Sequence, residues 1–152
     1  MISFRRMTEH DIERVAEIES HTFSNPWSEK VYRETYVLDG VEYVVAVDDE
    51  AGKDGDELII GAAGVRNIAG TGEITNVMIT PPYRGRGIAL NMLTDLIERG
   101  KRLGATEFTL EVRVNNESAR KLYEKLGFEC CGIRPDFYNN PKEDAAIYWL
   151  RK

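Results

Sequence analysis

The sequence predicts an α/β fold, more closely α+β, built on a mixed sheet. Three observations point to it. Segments with the two-residue period of strands alternate with segments carrying the 3.6-residue period of helices. Glycine, proline and asparagine mark the joins between them. Hydrophobic residues make up 42% of the 152 positions and charged residues 30%, a balance suited to one buried core under a charged surface. No repeat, low-complexity tract or linker divides the chain, so residues 1–152 are expected to form a single domain.

The elements follow in order. Ile2 to Arg5 reads as a first strand. Thr8 then stands as an N-cap, with Glu9 and Asp11 in the first turn and Ile12, Val15 and Ile18 at helical spacing. Pro26-Trp27-Ser28 breaks the chain, and Ser28 is placed to cap a second helix with Val31, Tyr32 and Thr35 on one side. Tyr43 to Val47 and Leu58 to Asn67 are β-rich, joined by an acidic hairpin loop, and Glu73 to Ile79 gives another strand. The loop from Thr80 to Gly87 leads into an amphipathic helix carrying Ile88, Met92, Leu93, Leu96 and Ile97, which ends near Gly104. Phe108, Leu110, Val112 and Val114 alternate with polar residues as in a half-buried strand. Asn115-Asn116 caps a last helix bearing Ala119, Leu122, Tyr123 and Leu126, and Gly127 sits where a C-cap glycine belongs. Strands near Phe128 to Ile133 and Ala145 to Leu150 close the domain.

Charge and composition narrow the function classes. Twenty Lys and Arg stand against 26 Asp and Glu, a net charge of −6. That argues against broad, non-specific nucleic-acid binding, while leaving room for a local basic patch. The longest apolar run, Leu58 to Val65, is interrupted by glycine and is far below the ~18 residues of a membrane span. The first residues have no apolar core of a signal peptide. Cys130 and Cys131 are adjacent and cannot join distant parts of a fold; they are expected as free, buried small side chains in a cytoplasmic protein. No direct nucleic-acid partner and no membrane partner is expected.

The segment from Asn76 to Ile97 carries the most chemistry. Its glycines and arginines stand where a helix begins, and a helix start offers free N–H groups and a positive dipole end to an anion. Gly85 and Gly87 let the backbone approach a phosphate closely, and Arg84 and Arg86 add charge at the rim. By composition alone the segment reads equally well as a tight strand-to-helix turn with solvated arginines. It is neither a Walker A loop nor a dinucleotide fingerprint. Other constellations are weak. His10 and His21 are the only histidines and no G-x-S-x-G exists, so a serine-hydrolase triad is not expected. The cysteines lack zinc-site spacing and the acidic loop fails the EF-hand pattern, so no metal is expected.

Two motifs carry a family resemblance. Arg84-Gly85-Arg86-Gly87-Ile88-Ala89 resembles the Q/R-x-x-G-x-G/A signature of the GCN5-related N-acetyltransferases (GNAT). Asn115 to Phe128 resembles the family's second signature, N-x-x-A-x-x-L-Y-x-x-x-G-F. Pro26-Trp27-Ser28-Glu29, Leu110-Glu111-Val112-Arg113 and Glu143-Asp144-Ala145 are similar to segments of the RimI-type ribosomal-protein-alanine N-acetyltransferases. Pro81-Pro82 departs from the acidic-proline pair common in relatives.

The resemblance implies a GNAT fold: a central, mixed, mostly antiparallel twisted sheet of about six to seven strands, flanked by about four helices. It implies acetyl-CoA as cosubstrate and a protein N-terminus as acceptor, for a RimI-type enzyme the N-terminal alanine of ribosomal protein S18. Carried over by position, the backbone of Val77, Met78 and Ile79 lies along the pantetheine and acetyl group. Arg84, Gly85, Arg86, Gly87, Ile88, Ala89 and Leu90 surround the pyrophosphate, and Asn116 also touches CoA. Glu111 matches the general base and Tyr123 the general acid that protonates the leaving thiolate. Trp27 and Tyr138 are candidates for the acceptor entrance. Read from the residues alone, Glu111 is more readily a solvated strand carboxylate paired with Arg113, and Tyr123 reads also as a core residue of its helix. Acetylation of a small amine or another peptide, and CoA binding without turnover, remain open alternatives.

Overall fold

The computed structural model describes residues 1–151, the side chain of Asp54 excepted. The elements are β1 (Ile2–Arg6), α1 (Ile12–Thr22), α2 (Glu29–Tyr36), β2 (Val41–Asp48), β3 (Leu58–Ile68), β4 (Thr71–Ile79), α3 (Ile88–Arg102), β5 (Glu107–Arg113), α4 (Glu117–Lys125), β6 (Glu129–Tyr138) and β7 (Glu143–Arg151). The strands form one sheet in the order β1-β2-β3-β4-β5-β7-β6. Every neighbouring pair is antiparallel except β4 and β5, which run parallel. The sheet and helix layout agrees with the expected mixed, mostly antiparallel architecture. No helix among the described residues is long and apolar enough to cross a membrane.

Helices cover both faces of the sheet, and the apolar stripe of each decides which face. One core cluster joins α3 and α4 to the sheet through Met92, Leu93, Leu96, Phe108, Leu110 and Tyr148, all nearly sealed from solvent. The other joins α1 and α2 to β2, β3 and β4 through Ile12, Val15, Tyr32, Tyr43 and Val45. That second layer stops at β4. The same face of β5 is therefore not roofed by a helix, and Glu111 on it is exposed.

Local details depart from the sequence reading in three places. Thr8 precedes a 3-10 turn, Glu9–Asp11, and the regular helix starts at Ile12. In α2, Ser28 caps as expected, its Oγ accepting from the Val31 N–H at 3.2 Å, but only Tyr32 is buried and Val31 faces solvent. Cys130 and Cys131 are exposed, not buried. The reason is topological. β6 is an edge strand, and an irregular register between Cys130 and Gly132 turns the strand there.

The join between β4 and β5 is short. Only Thr71, Gly72 and Glu73 pair with Glu107, Phe108 and Thr109, after which the strands part. Two glycines lock this join around one ring. A Cβ on Gly72 of β4 would lie 2.6 Å from the Phe108 ring, and one on Gly100 of α3 would lie 2.5 Å from it. Phe108 is buried and cannot yield. We expect Gly100→Ala to lower stability, although removing a mid-helix glycine ordinarily gains up to about 1 kcal/mol. Overpacking a filled core costs about 1–3 kcal/mol and wins. Thermal melting should show a lower Tm, with a smaller penalty for the same change in a Phe108→Leu background. A raised Tm in the single variant would refute the lock.

Candidate active site

The parting of β4 and β5 opens a slot at their C-terminal ends. β4 is reshaped on its way there. Its register against β3 slips between Gly64–Thr75 and Ala62–Met78, which leaves one extra residue in β4. Asn76 takes up the bulge with φ of 57°. Val77 and Ile79 pack toward the α3–α4 side and Met78 toward the α1–α2 side, so what these residues offer the slot is backbone.

Beyond the slot, α3 begins without a side-chain cap. Its N-cap is Gly87, at φ of 76° in the left-handed region where glycine is favoured. Asn91 is the first residue of the helix start whose N–H finds a backbone acceptor, Gly87 O at 3.3 Å. The N–H groups from Gly85 to Leu90 have no protein acceptor among the described residues. A Cβ at Gly85 or Gly87 would meet nothing within 4 Å. The loop is thus open outward, with unsatisfied donors and the dipole end of a 15-residue helix behind them. This cradle fits a pyrophosphate.

The arginines divide their work. Arg84 turns back and donates from Nε to Ile79 O at 2.8 Å, bracing the loop on the end of β4. Arg86 stays exposed, its guanidinium 5.0 Å from the centre of the Tyr83 ring. The Tyr83 hydroxyl donates to Asp48 Oδ2 at 2.7 Å, tying the loop to the end of β2. Across the slot, Asn116 caps α4 by accepting from the Ala119 N–H at 3.1 Å, while its side chain stays exposed.

Tyr123 belongs to α4 and to the core cluster on the α3–α4 side of the sheet. It is buried, packed on Phe128 and Tyr148 with ring centres 6.0 and 6.1 Å away. Its hydroxyl has no hydrogen-bond partner among the described residues. Burial pushes the phenol above its ordinary value of 10, and neighbouring Tyr138 adds to this. Glu111 stands on the other face of β5, exposed and without an ion-pair or hydrogen-bond partner among the described residues. Arg113, its neighbour along the same face, is engaged elsewhere, with Glu143 at 3.2 Å.

Two loops flank that face, one between α1 and α2 and one between β6 and β7. Trp27 of the first is half-buried, edge-on to Tyr32 at 5.3 Å and Tyr43 at 6.4 Å. The Tyr43 ring lies over Gly64, where a Cβ would approach it to 2.2 Å. Tyr138 is the last residue of β6. Arg113 covers its ring at 4.5 Å from the centroid. Burial pushes the Tyr138 phenol up to about 12, with Glu111 and Glu143 adding and Arg113 opposing.

An acetyltransferase (GNAT) family model matches residues 12–128. The chain belongs to the GNAT family. It is an acetyl-CoA-dependent N-acetyltransferase. A [ribosomal protein bS18]-alanine N-acetyltransferase of Haemophilus influenzae is 34% identical over 140 residues, covering 90% of each chain. The crystal structure of the ribosomal-protein-S18-alanine N-acetyltransferase from Escherichia coli superimposes with a TM-score of 0.83 at 25% identity, over 99% of this chain and 93% of that one. The NatC complex bound to Gag peptide and CoA gives 0.85 at 25% identity, over 99% and 98%.

In this GNAT chain the sequence-predicted residues fall on a few elements. Val77 to Ile79 end β4, Arg84 to Leu90 run from the following loop into α3, and Asn116 and Tyr123 belong to α4 and its cap. Glu111 is on β5, Tyr138 ends β6, and Trp27 lies between α1 and α2. Sequence reasoning missed Glu19. Its carboxylate is buried, accepting from the Trp27 N–H, the Tyr32 hydroxyl and, at 2.9 Å, Asn76 Nδ2. It thereby joins the α1–α2 loop to the β4 bulge. A signal was present: Glu19 follows Ile12 and Val15 at seven and four residues, a carboxylate on the apolar stripe of α1. Glu19→Ala leaves three donors stranded at about 1–3 kcal/mol each. At roughly 2–4 °C per kcal/mol for a chain of this size, Tm should drop on the order of 10 °C. A melting curve within about 3 °C of the parent, at that scale, would show that water replaces the carboxylate without loss.

Proposed function

We propose that the chain, working as one domain over residues 1–152 in the cytoplasm, transfers acetyl from acetyl-CoA to the N-terminal α-amine of ribosomal protein S18, at its alanine. The names of the H. influenzae and E. coli relatives support this acceptor. The observation that carries the chemistry is a division of environments. An unpartnered carboxylate, Glu111, faces the two flanking loops, while a buried, unpartnered phenol, Tyr123, approaches from the far side of the same strand.

In this reading the free N–H groups of Gly85 to Leu90 and the exposed Arg86 hold the pyrophosphate. The backbone of Val77 to Ile79 aligns the pantetheine arm and thioester, and Asn116 contacts CoA beside them. Trp27 and Tyr138 line the acceptor entrance. Glu111 takes a proton from the α-ammonium, directly or through water, and frees the amine to attack the thioester carbonyl. As the C–S bond breaks, Tyr123 gives its proton to the leaving sulfur. A raised phenol pKa keeps that proton in place through the pH range in which the amine loses its own. The acceptor matches so modest a base. At pH 7 roughly 14% of an α-amine of pKa near 7.8 is already neutral, against about 0.04% of a lysine.

Two experiments test the proposal. Tyr123→Phe should lower kcat by roughly 10²–10⁴-fold with little change in acetyl-CoA affinity, and Glu111→Gln should depress the rate most at low pH. The parent profile should rise through the amine pKa without an alkaline fall below about pH 10, because the folded phenol titrates above its ordinary value. Wild-type rates in either variant across pH 6–9 would remove its assigned role. Separately, a peptide copied from the start of S18, with free N-terminal alanine, should be acetylated on its α-amine. Fragmentation mass spectrometry locates the group. Acetylation on lysine, or none beside robust turnover of a polyamine, would move the enzyme to a small-amine or side-chain acceptor.

A further inference from the structure

The two loops beside Glu111 are not independent. The side chains of Asn25 and Asn140 link them directly, with Asn25 Nδ2 donating to Asn139 O at 3.3 Å and Asn140 Nδ2 to Asn25 Oδ1 at 3.2 Å. These are neutral bonds between exposed groups, each worth little in water. The charged contact comes from below. Arg113 of β5 sends Nη2 to Ser24 Oγ at 3.3 Å and to Asn139 O at 3.0 Å. Its Nη1 donates to Pro141 O at 2.9 Å and pairs with Glu143 at 3.2 Å. The same guanidinium lies over the Tyr138 ring. One side chain rooted in the sheet thus holds the α1–α2 loop, the β6–β7 loop and the ring of Tyr138. Its Cα is two residues from that of Glu111, on the same face of the strand.

We propose that Arg113 is a positioning residue for the acceptor: it sets the two loops at a fixed height over Glu111 and so determines how well a peptide N-terminus is held there. The inference rests on the α-amine reading above. Lysine cannot replace it, because an ammonium is a single point of charge and the site needs a planar fork that reaches acceptors on both loops and stacks on a ring. None of its side-chain contacts belongs to the Thr80–Leu90 segment, and its one link toward the α4 cap runs through Glu143, which also accepts from the Asn115 N–H. A role in general stability would not make that distinction.

The test separates acceptor from donor. With the S18-derived peptide, Arg113→Ala should raise the peptide KM roughly tenfold or more, with kcat changed far less and acetyl-CoA KM within about twofold. Arg113→Lys should restore only part of the loss. Hydrogen exchange on the enzyme without substrates supplies a readout that needs no acceptor. Amides of residues 24–28 and 137–142 should exchange faster in Arg113→Ala, and those of 81–90 should not. An unchanged peptide KM, a parallel rise in acetyl-CoA KM, full rescue by lysine, or unchanged exchange in both loops would overturn the proposal. If the wild type acetylates no N-terminal alanine peptide, the S18 reading falls by itself, and the exchange pattern still decides the role of Arg113.

Discussion

The site depends on how briefly β4 and β5 are joined. Parallel pairing lasts for three residues on each strand, and the Phe108 ring, gripped by Gly72 and Gly100, holds that join closed. Past it the strands separate because the Asn76 bulge turns β4 while β5 stays registered on β7. The residues of the proposed chemistry lie on the elements that flank the resulting slot. A sheet that kept pairing to the ends of both strands would satisfy its own backbone and leave no backbone groups for a ligand.

Glu19 sits where the fold and the slot meet. A buried carboxylate is tolerated only when its oxygens are satisfied, and three donors from three separate segments satisfy it. One is the Trp27 backbone, another the side chain of the bulge residue Asn76. The shape of the α1–α2 loop and the shape of the β4 bulge are therefore fixed by the same charge. On the other side Glu143 plays a similar part. It pairs with Arg113 beneath the loops and accepts from the Asn115 N–H at 2.8 Å, next to the cap of α4. Each half of the slot is tied to the other by a carboxylate that faces neither substrate in the proposed chemistry.

Much of this was legible in the sequence, and the reasons differ by residue. Strand and helix periods gave the elements because each has one apolar side, as in Phe108-Leu110-Val112. The glycine loop and the Asn116 cap were readable because turn chemistry is local. The exposure of Cys130 and Cys131 was not, since it depends on β7 lying between β5 and β6 and leaving β6 at the edge. Arg113 was readable only as a possible partner of Glu111. Its actual partners, Ser24, Asn139 and Pro141, are brought to it by long-range topology and not by strand spacing. Glu19 lay between these cases, out of place on its stripe but with partners that only the fold supplies.

The placement of the two proposed proton-transfer groups follows from what each must do. A base that meets a charged amine has to be reachable by solvent and free of a competing cation. Glu111 meets both conditions because the α1–α2 layer ends at β4 and because Arg113 is held by the loops and by Glu143. An acid that must keep its proton until sulfur leaves has to be shielded, and Tyr123 is shielded by Phe128 and Tyr148. Tyr148 is fixed in turn: its hydroxyl accepts from Arg120 Nε at 2.9 Å and donates to Glu124 Oε2 at 2.8 Å. Arg120 also donates to Val114 O at 3.0 Å, which anchors the start of α4. The chain of contacts that shields the acid is thus the one that orients the helix bearing Asn116. In the proposed chemistry, repacking around Tyr148 would disturb proton donation and CoA contact together, whereas the Arg113 side chain acts on the opposite face of β5, on the two loops beside Glu111.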